Sequence, residues 1–274
     1  MNVNRNLVVF FIAFFLAVIP WQPVRSAEAD SSANFQKILK TGTLRVGVSF
    51  FTPWVFKDKK GELAGFEIDV AKKLAKDMGL TARFVPHDWD RLIPALLNDE
   101  IDIIIAGMAI TPYRALKVNF SQPYATAGVN LATNLALTKD IKSLKEINQK
   151  KIKIGVVAKT VAEDLARKVF EKALLKTYKT SEEVKADLIS GKIHVYLESK
   201  PIPQFLALEH PDKIDVPLSK PLLTTKAGFA IKKGDPDFLN FLNSWIIARE
   251  TDTWLKSIHD FWFTSLKWRQ KFIQ

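Results

Sequence analysis

The stretch AGMAITPYRALKVNFSQPY, Ala106 to Tyr124, decides the reading of this chain. It follows Ile101-Asp102-Ile103-Ile104-Ile105, an apolar run that reads as a buried strand. At Ala106-Gly107 the missing side chain lets the backbone come close to something. Thr111 is a good N-cap and Pro112 a good first helical residue. Arg114 falls in the first helical turn, where the helix dipole favours anions over cations. A strand tip, free backbone amides, a helix N-terminus and a guanidinium thus converge. Such a place suits a carboxylate or a similar anion. The competing reading is a surface arginine after an ordinary strand-to-helix turn.

Working outward, the same residues carry a resemblance. AGMAITPYRALKVNFSQPY is similar to the AGMTITPERAKKVDFSDPY stretch of the family 3 periplasmic solute-binding proteins, the amino-acid receptors of ABC importers. Gly65-Phe66-Glu67-Ile68-Asp69-Val70 resembles the family's GFDIDVA, with Glu67 in place of an Asp. The resemblance runs from Leu44 to Phe263. It implies the two-lobed type II periplasmic binding protein fold, shared with ionotropic glutamate receptor ligand cores. Each lobe is then an open, mostly parallel sheet flanked by helices, with two crossing strands as the hinge. It also implies a small amino-acid or carboxylate ligand, a membrane permease as partner, and no cofactor.

The residues read by themselves agree on class. Strands alternate with helices throughout, which argues for α/β sheets with parallel strands. Lobe 1 is expected at 34–129 plus 226–274 and lobe 2 at 134–221, with closure around a ligand as the motion. Met1 to Ala29 reads as a cleaved signal peptide. Arg5 supplies the positive region, Leu7 to Ile19 the apolar one, and Pro20 breaks it. Ala27-Glu28-Ala29 fits a cleavage site, and Val24-Arg25-Ser26 is a second option. An uncleaved anchor is the alternative, but the apolar run is shorter than the roughly 20 residues of a span. The expected address is the periplasm. With no Cys there are no disulfides, thiolate metal sites or lipobox thiol. The net charge of +11 is spread over interspersed charges of both signs, with no basic face interleaved with aromatics. That argues against nucleic-acid binding.

Several residues gain a role from the resemblance. Phe51 and Trp89 take the positions of aromatics that wall the ligand; packing is the other reading of Phe51. Trp54 and Phe56 are expected in the core. Arg114 would fork onto the ligand carboxylate, helped by backbone at Gly107. Ala109 stands where the family usually has Thr, so a hydroxyl is lost. Ala158-Lys159-Thr160-Val161-Ala162-Glu163 matches a turn AGTTAE that gives a hydroxyl and amides to the carboxylate. By spacing alone, Thr160 and Glu163 form a capping box. Lys159 replaces a Gly, and its added cation is expected to face the cleft and favour acidic ligands; turning into solvent is the alternative. Glu198 would receive the α-ammonium, in place of the family's Asp, or else cap the helix expected at Ser199 to Leu208. Ser181 is expected to open the next helix by capping. His87, His194, His210 and His259 read as structural or surface residues, not metal ligands.

Two other functions compete with binding. Cyclohexadienyl dehydratases share the fold, but their catalytic Glu falls at Pro201 here. A sensing module would need a further domain, and little chain follows the last expected helix.

Overall fold

The computed structural model describes residues 33–141, 143–264 and 267–272. The signal-peptide reading of Met1 to Ala29 lies outside these residues. The strands in chain order are β1 (Thr43–Val48), β2 (Phe56–Lys57), β3 (Leu63–Ala64), β4 (Thr81–Pro86), β5 (Ile103–Ile104), β6 (Asn119–Asn134), β7 (Lys153–Val157), β8 (Leu174–Tyr178), β9 (Val195–Ser199), β10 (Ile214–Asp215) and β11 (Leu223–Ile231). Apart from the β2–β3 hairpin they form one sheet, in the order β4-β1-β5-β11-β6-β9-β7-β8 with β10 on β6.

Each end of this sheet is parallel, as βαβ succession demands. β1 runs parallel to β4 and β5, and β7 parallel to β8 and β9. The middle is antiparallel, where β6 pairs with β11 on one side and β9 on the other. β6 is 16 residues long and passes from one lobe into the other. Its pairing with β11 across the hinge gives the crossing backbone the partners it needs.

The cores follow the side-chain periods. In the first lobe, Val46 and Val48 on β1 meet Ile68 and Leu74 of the helix Phe66–Asp77, and Phe238 and Leu242 of the helix Pro236–Thr251. Trp54 and Phe56 belong to this core, as expected. In the second lobe, Val195 and Leu197 of β9 pack on one face and Tyr196 on the other. Glu198 therefore shares the Tyr196 face, two residues along the pleat.

Helix starts differ from expectation in two places. The helix after β8 is capped by Thr180, not Ser181: the Thr180 hydroxyl accepts from Glu183 N and the Glu183 carboxylate from Thr180 N. The helix after β9 is Ile202–Glu209, later than Ser199, because Pro201 keeps Lys200 out of helical geometry. Among the described residues no helix is long and apolar enough to cross a membrane.

A candidate ligand-binding cleft

A cavity of about 590 Å³ lies between the lobes, lined by the loops at the strand ends. Phe51 follows β1, Trp89 follows β4, and Gly107, Ala109 and Arg114 follow β5. Thr160 follows β7, and Glu198 stands near the end of β9. This is where open α/β sheets hold ligands. The structure thus brings seven of the eight expected site residues to one cavity; Lys159 is not on its wall.

Gly107 is left-handed, at φ 63°, and a Cβ there would come within 3.0 Å of the Trp54 ring. Only glycine gives the loop this shape without strain. Its amide is not free, as the sequence suggested: it donates to the Tyr124 hydroxyl at 3.2 Å. Thr111 does cap the next turn, accepting from Arg114 N at 3.3 Å. Arg114 is buried, not a surface arginine. Its Nη1 donates to Ala109 O at 2.9 Å and its Nη2 to Lys159 O at 3.2 Å, reaching across the cleft. The guanidinium lies 5.4 Å from the Trp89 ring centre. Burial pulls its pKa down, against the pull of Asp164.

Phe51 is half-buried and packs against the cores of both lobes. Trp89 crosses the gap in another way, donating its Nε1–H to Lys159 O at 3.0 Å. Lys159 itself adopts φ 61°, the left-handed region that its glycine counterpart would enter freely. The expectation that its cation faces the ligand is corrected. Its side chain is 69% exposed, and Nζ pairs with Asp90 of the first lobe at 3.0 Å. An ionised partner was within reach outside the cavity, so the cation is already matched. Lys179 and Asp88 make a second pair across the same mouth at 2.8 Å.

Thr160 caps the helix Val161–Val169, accepting from Glu163 N, while its own proton goes to Val157 O at 2.8 Å. The capping box is not closed. Glu163 reaches one residue further back, to Lys159 N at 2.7 Å, because the left-handed turn presents that amide.

Glu198 is buried, accepting from Tyr196 OH at 2.7 Å and Ser199 N at 2.7 Å. Burial raises its pKa, opposed by the Ser199 amide, the Tyr196 hydroxyl and the charge of Lys185. It does not cap the following helix, whose N-cap is Pro201. Neither Arg114 nor Glu198 makes an ion pair among the described residues. One buried cation and one buried carboxylate therefore share a cavity without an opposite charge on either.

Sequence reasoning missed three features. His87 lines the cavity, with Nε2 buried and unpartnered, although it read as a surface or loop residue. Its place after β4, matching Phe51 after β1, was the available signal. Asp88 and Asp90 flank Trp89 and meet lysines of the other lobe. Glu67 is fully buried under the Gly107 loop, with both carboxyl oxygens taking the Tyr124 hydroxyl, at 2.9 and 2.8 Å. Burial pushes its pKa up to about 8, against the Tyr124 and Gly107 hydrogen bonds. Among the described residues no group of three His, Asp or Glu could hold a metal ion.

The model of the bacterial extracellular solute-binding proteins, family 3, matches residues 44–265. The chain belongs to this family. The L-cystine-binding protein TcyJ of Escherichia coli is 27% identical over 249 residues, covering 90% of this chain and 92% of its own. Cyclohexadienyl dehydratase of Pseudomonas aeruginosa is 24% identical, covering 86% and 88%. A binding component of an ABC transporter from Wolinella succinogenes, solved with lysine, is 36% identical with a TM-score of 0.78, covering 84% of this chain and 99% of that one. Such likeness over nearly the whole fold makes this family 3 chain a type II periplasmic binding protein in architecture.

Proposed function

We propose that the cleft binds an α-amino acid or a similar small zwitterion and delivers it to the permease of an ABC importer. The observation that carries this reading is the pair Arg114 and Glu198, buried in one cavity and each without an ionic partner among the described residues. A guanidinium forks onto a carboxylate, and a carboxylate near backbone and hydroxyl donors takes an ammonium. A zwitterion satisfies both at once. Phe51 and Trp89 supply apolar or cation–π walls for the side chain. With Lys159 matched by Asp90, its charge gives no reason to prefer acidic ligands. Lysine and cystine, which the relatives' names mention, are the first compounds to try.

On this reading the protein works in the periplasm, after removal of Met1 to Ala29, and is not an enzyme. Pro201 stands where the resemblance puts the dehydratase's catalytic Glu. The lobes are those of 34–129 with 226–274 and of 134–221, and the crossings of β6 and β11 act as the hinge. Mass spectrometry of small molecules released by denaturing the purified protein tests the reading. An amino acid or related zwitterion is expected. Release of a compound lacking either charged group, or turnover of prephenate or arogenate, would count against it.

A further inference from the structure

A second cavity, of about 540 Å³, lies on the other side of the crossing strands. The pleat fixes this relation. Thr225 of β11 lines the cleft, and Thr224 beside it lines the second cavity. Successive residues of a strand face opposite sides of the sheet. At the end of β9 the same change occurs between Ser199 and Lys200. Both volumes fall in the range of small-molecule sites.

The walls come from both lobes. Phe263 belongs to the helix Trp254–Phe263, packed on the first lobe's core. Phe205 and Leu208 belong to the helix Ile202–Glu209, whose Ile202 and Leu206 pack in the second lobe while Phe205 reaches the first lobe's core against Trp268. Trp54 joins the two cavities. Its Cε3 and Cζ3 edge faces Gly107 of the cleft loop, yet the ring lines the second cavity and not the first. Among the described residues Lys200 is the wall's one lysine or arginine, and no acidic residue lies on the wall. Lys200 is half-buried and makes no ion pair among the described residues. A cation beside aromatic and aliphatic walls suits a carboxylate with a compact apolar body.

We propose that this cavity is a second binding site, for a small monocarboxylate with an apolar body, and that its occupation favours the closed form of the cleft. The coupling follows from the hinge. Rotation about β6 and β11 that parts the lobes on one face brings them together on the other. A molecule held between the far walls thus binds the closed form better, and so shifts the population toward it.

The test uses the full chain and a diazirine-substituted benzoate as photolabel. Label is expected on peptides holding Gln204 to Leu208 or His259 to Thr264, displaced by benzoate and not by benzylamine. Lys200→Met should cut labelling at least about tenfold, and Lys200→Arg should restore it. Label on peptides holding Trp89 or Thr160, which line only the cleft, or equal labelling of Lys200→Met, would overturn the site. Benzoate should also slow amide exchange at 157–161, across the cleft and away from the second cavity. Unchanged exchange there would overturn the coupling. Neither readout requires a cleft ligand, so each can fail without the failure of the proposed function.

Discussion

Each lobe buries one glutamate against a tyrosine, and the two are put to different use. In the first lobe Glu67 takes the Tyr124 hydroxyl, and that hydroxyl takes the Gly107 amide. In the second lobe Glu198 takes the Tyr196 hydroxyl, which also meets Ser181 Oγ at 2.7 Å. Both carboxyls lie out of bulk water, and both have raised pKa values because of it. The difference is what else they face. Glu67 is sealed behind the loop and is not on the cavity wall, whereas Glu198 is. The first is kept protonated at neutral pH and shapes the loop that carries Arg114. The second holds its carboxyl in a cradle where an incoming cation would favour the ionised form. Burial alone does not mark a candidate binding residue; burial on the wall of a cavity does.

The strongest way to break this comparison is to remove each carboxyl and measure binding. Glu198→Ala should weaken the ligand at least about 30-fold, since removing one partner of a buried charge pair costs about 2 kcal/mol or more. Glu67→Gln keeps a hydrogen-bond acceptor for Tyr124 and should change affinity far less. Calorimetry of both variants decides, and equal losses would erase the distinction.

Stability against pH gives the next effect. Glu67 has a folded pKa of about 8 against an ordinary 4.5, so the folded state holds the proton more tightly. Its contribution is fully present below pH 4.5 and is lost as pH rises toward 8. Between those values the protein should lose a few kcal/mol, at about 1.4 kcal/mol per unit. Glu67→Gln should flatten this part of the profile in denaturant melts. A slope identical to the parent's would mean that another group carries it.

The comparison also shows what the chain discloses in one dimension. The alternation of strands and helices was legible because periods of two and 3.6 are local. Thr111, Pro112 and Arg114 were legible because a cap and its helix are adjacent. The Glu67–Tyr124 bond spans 57 positions, and the Trp89–Lys159 bond 70. Both depend on which strand tips meet, which no local pattern encodes. Gly107 read as an open amide because Tyr124 could not be seen above it. Lys159 read as a cleft cation because Asp90 belongs to the opposite lobe. Charged side chains with long stems find partners that sequence spacing does not reveal.

Lys159 gives the smallest expected effect. Lys159→Gly removes the left-handed strain, a gain of about 1 kcal/mol. It also removes an exposed ion pair worth about 0–1 kcal/mol. The melting temperature should therefore rise slightly, and more in high salt, where the parent's pair is already screened. A fall at low salt that high salt abolishes would show that the Asp90 pair outweighs the backbone strain, and a fall in both conditions that the left-handed turn carries no strain to relieve.

The central claim is that Arg114 and Glu198 together read the two charged ends of one zwitterion. Its most direct test is calorimetric titration with the amino acid found bound, and with two analogues of it: the amine lacking the carboxylate and the acid lacking the ammonium. The account predicts tight binding of the amino acid and loss of at least about 30-fold for either analogue, with Arg114→Ala insensitive to deletion of the carboxylate and Glu198→Ala insensitive to deletion of the ammonium. Either analogue binding as tightly as the amino acid would contradict it.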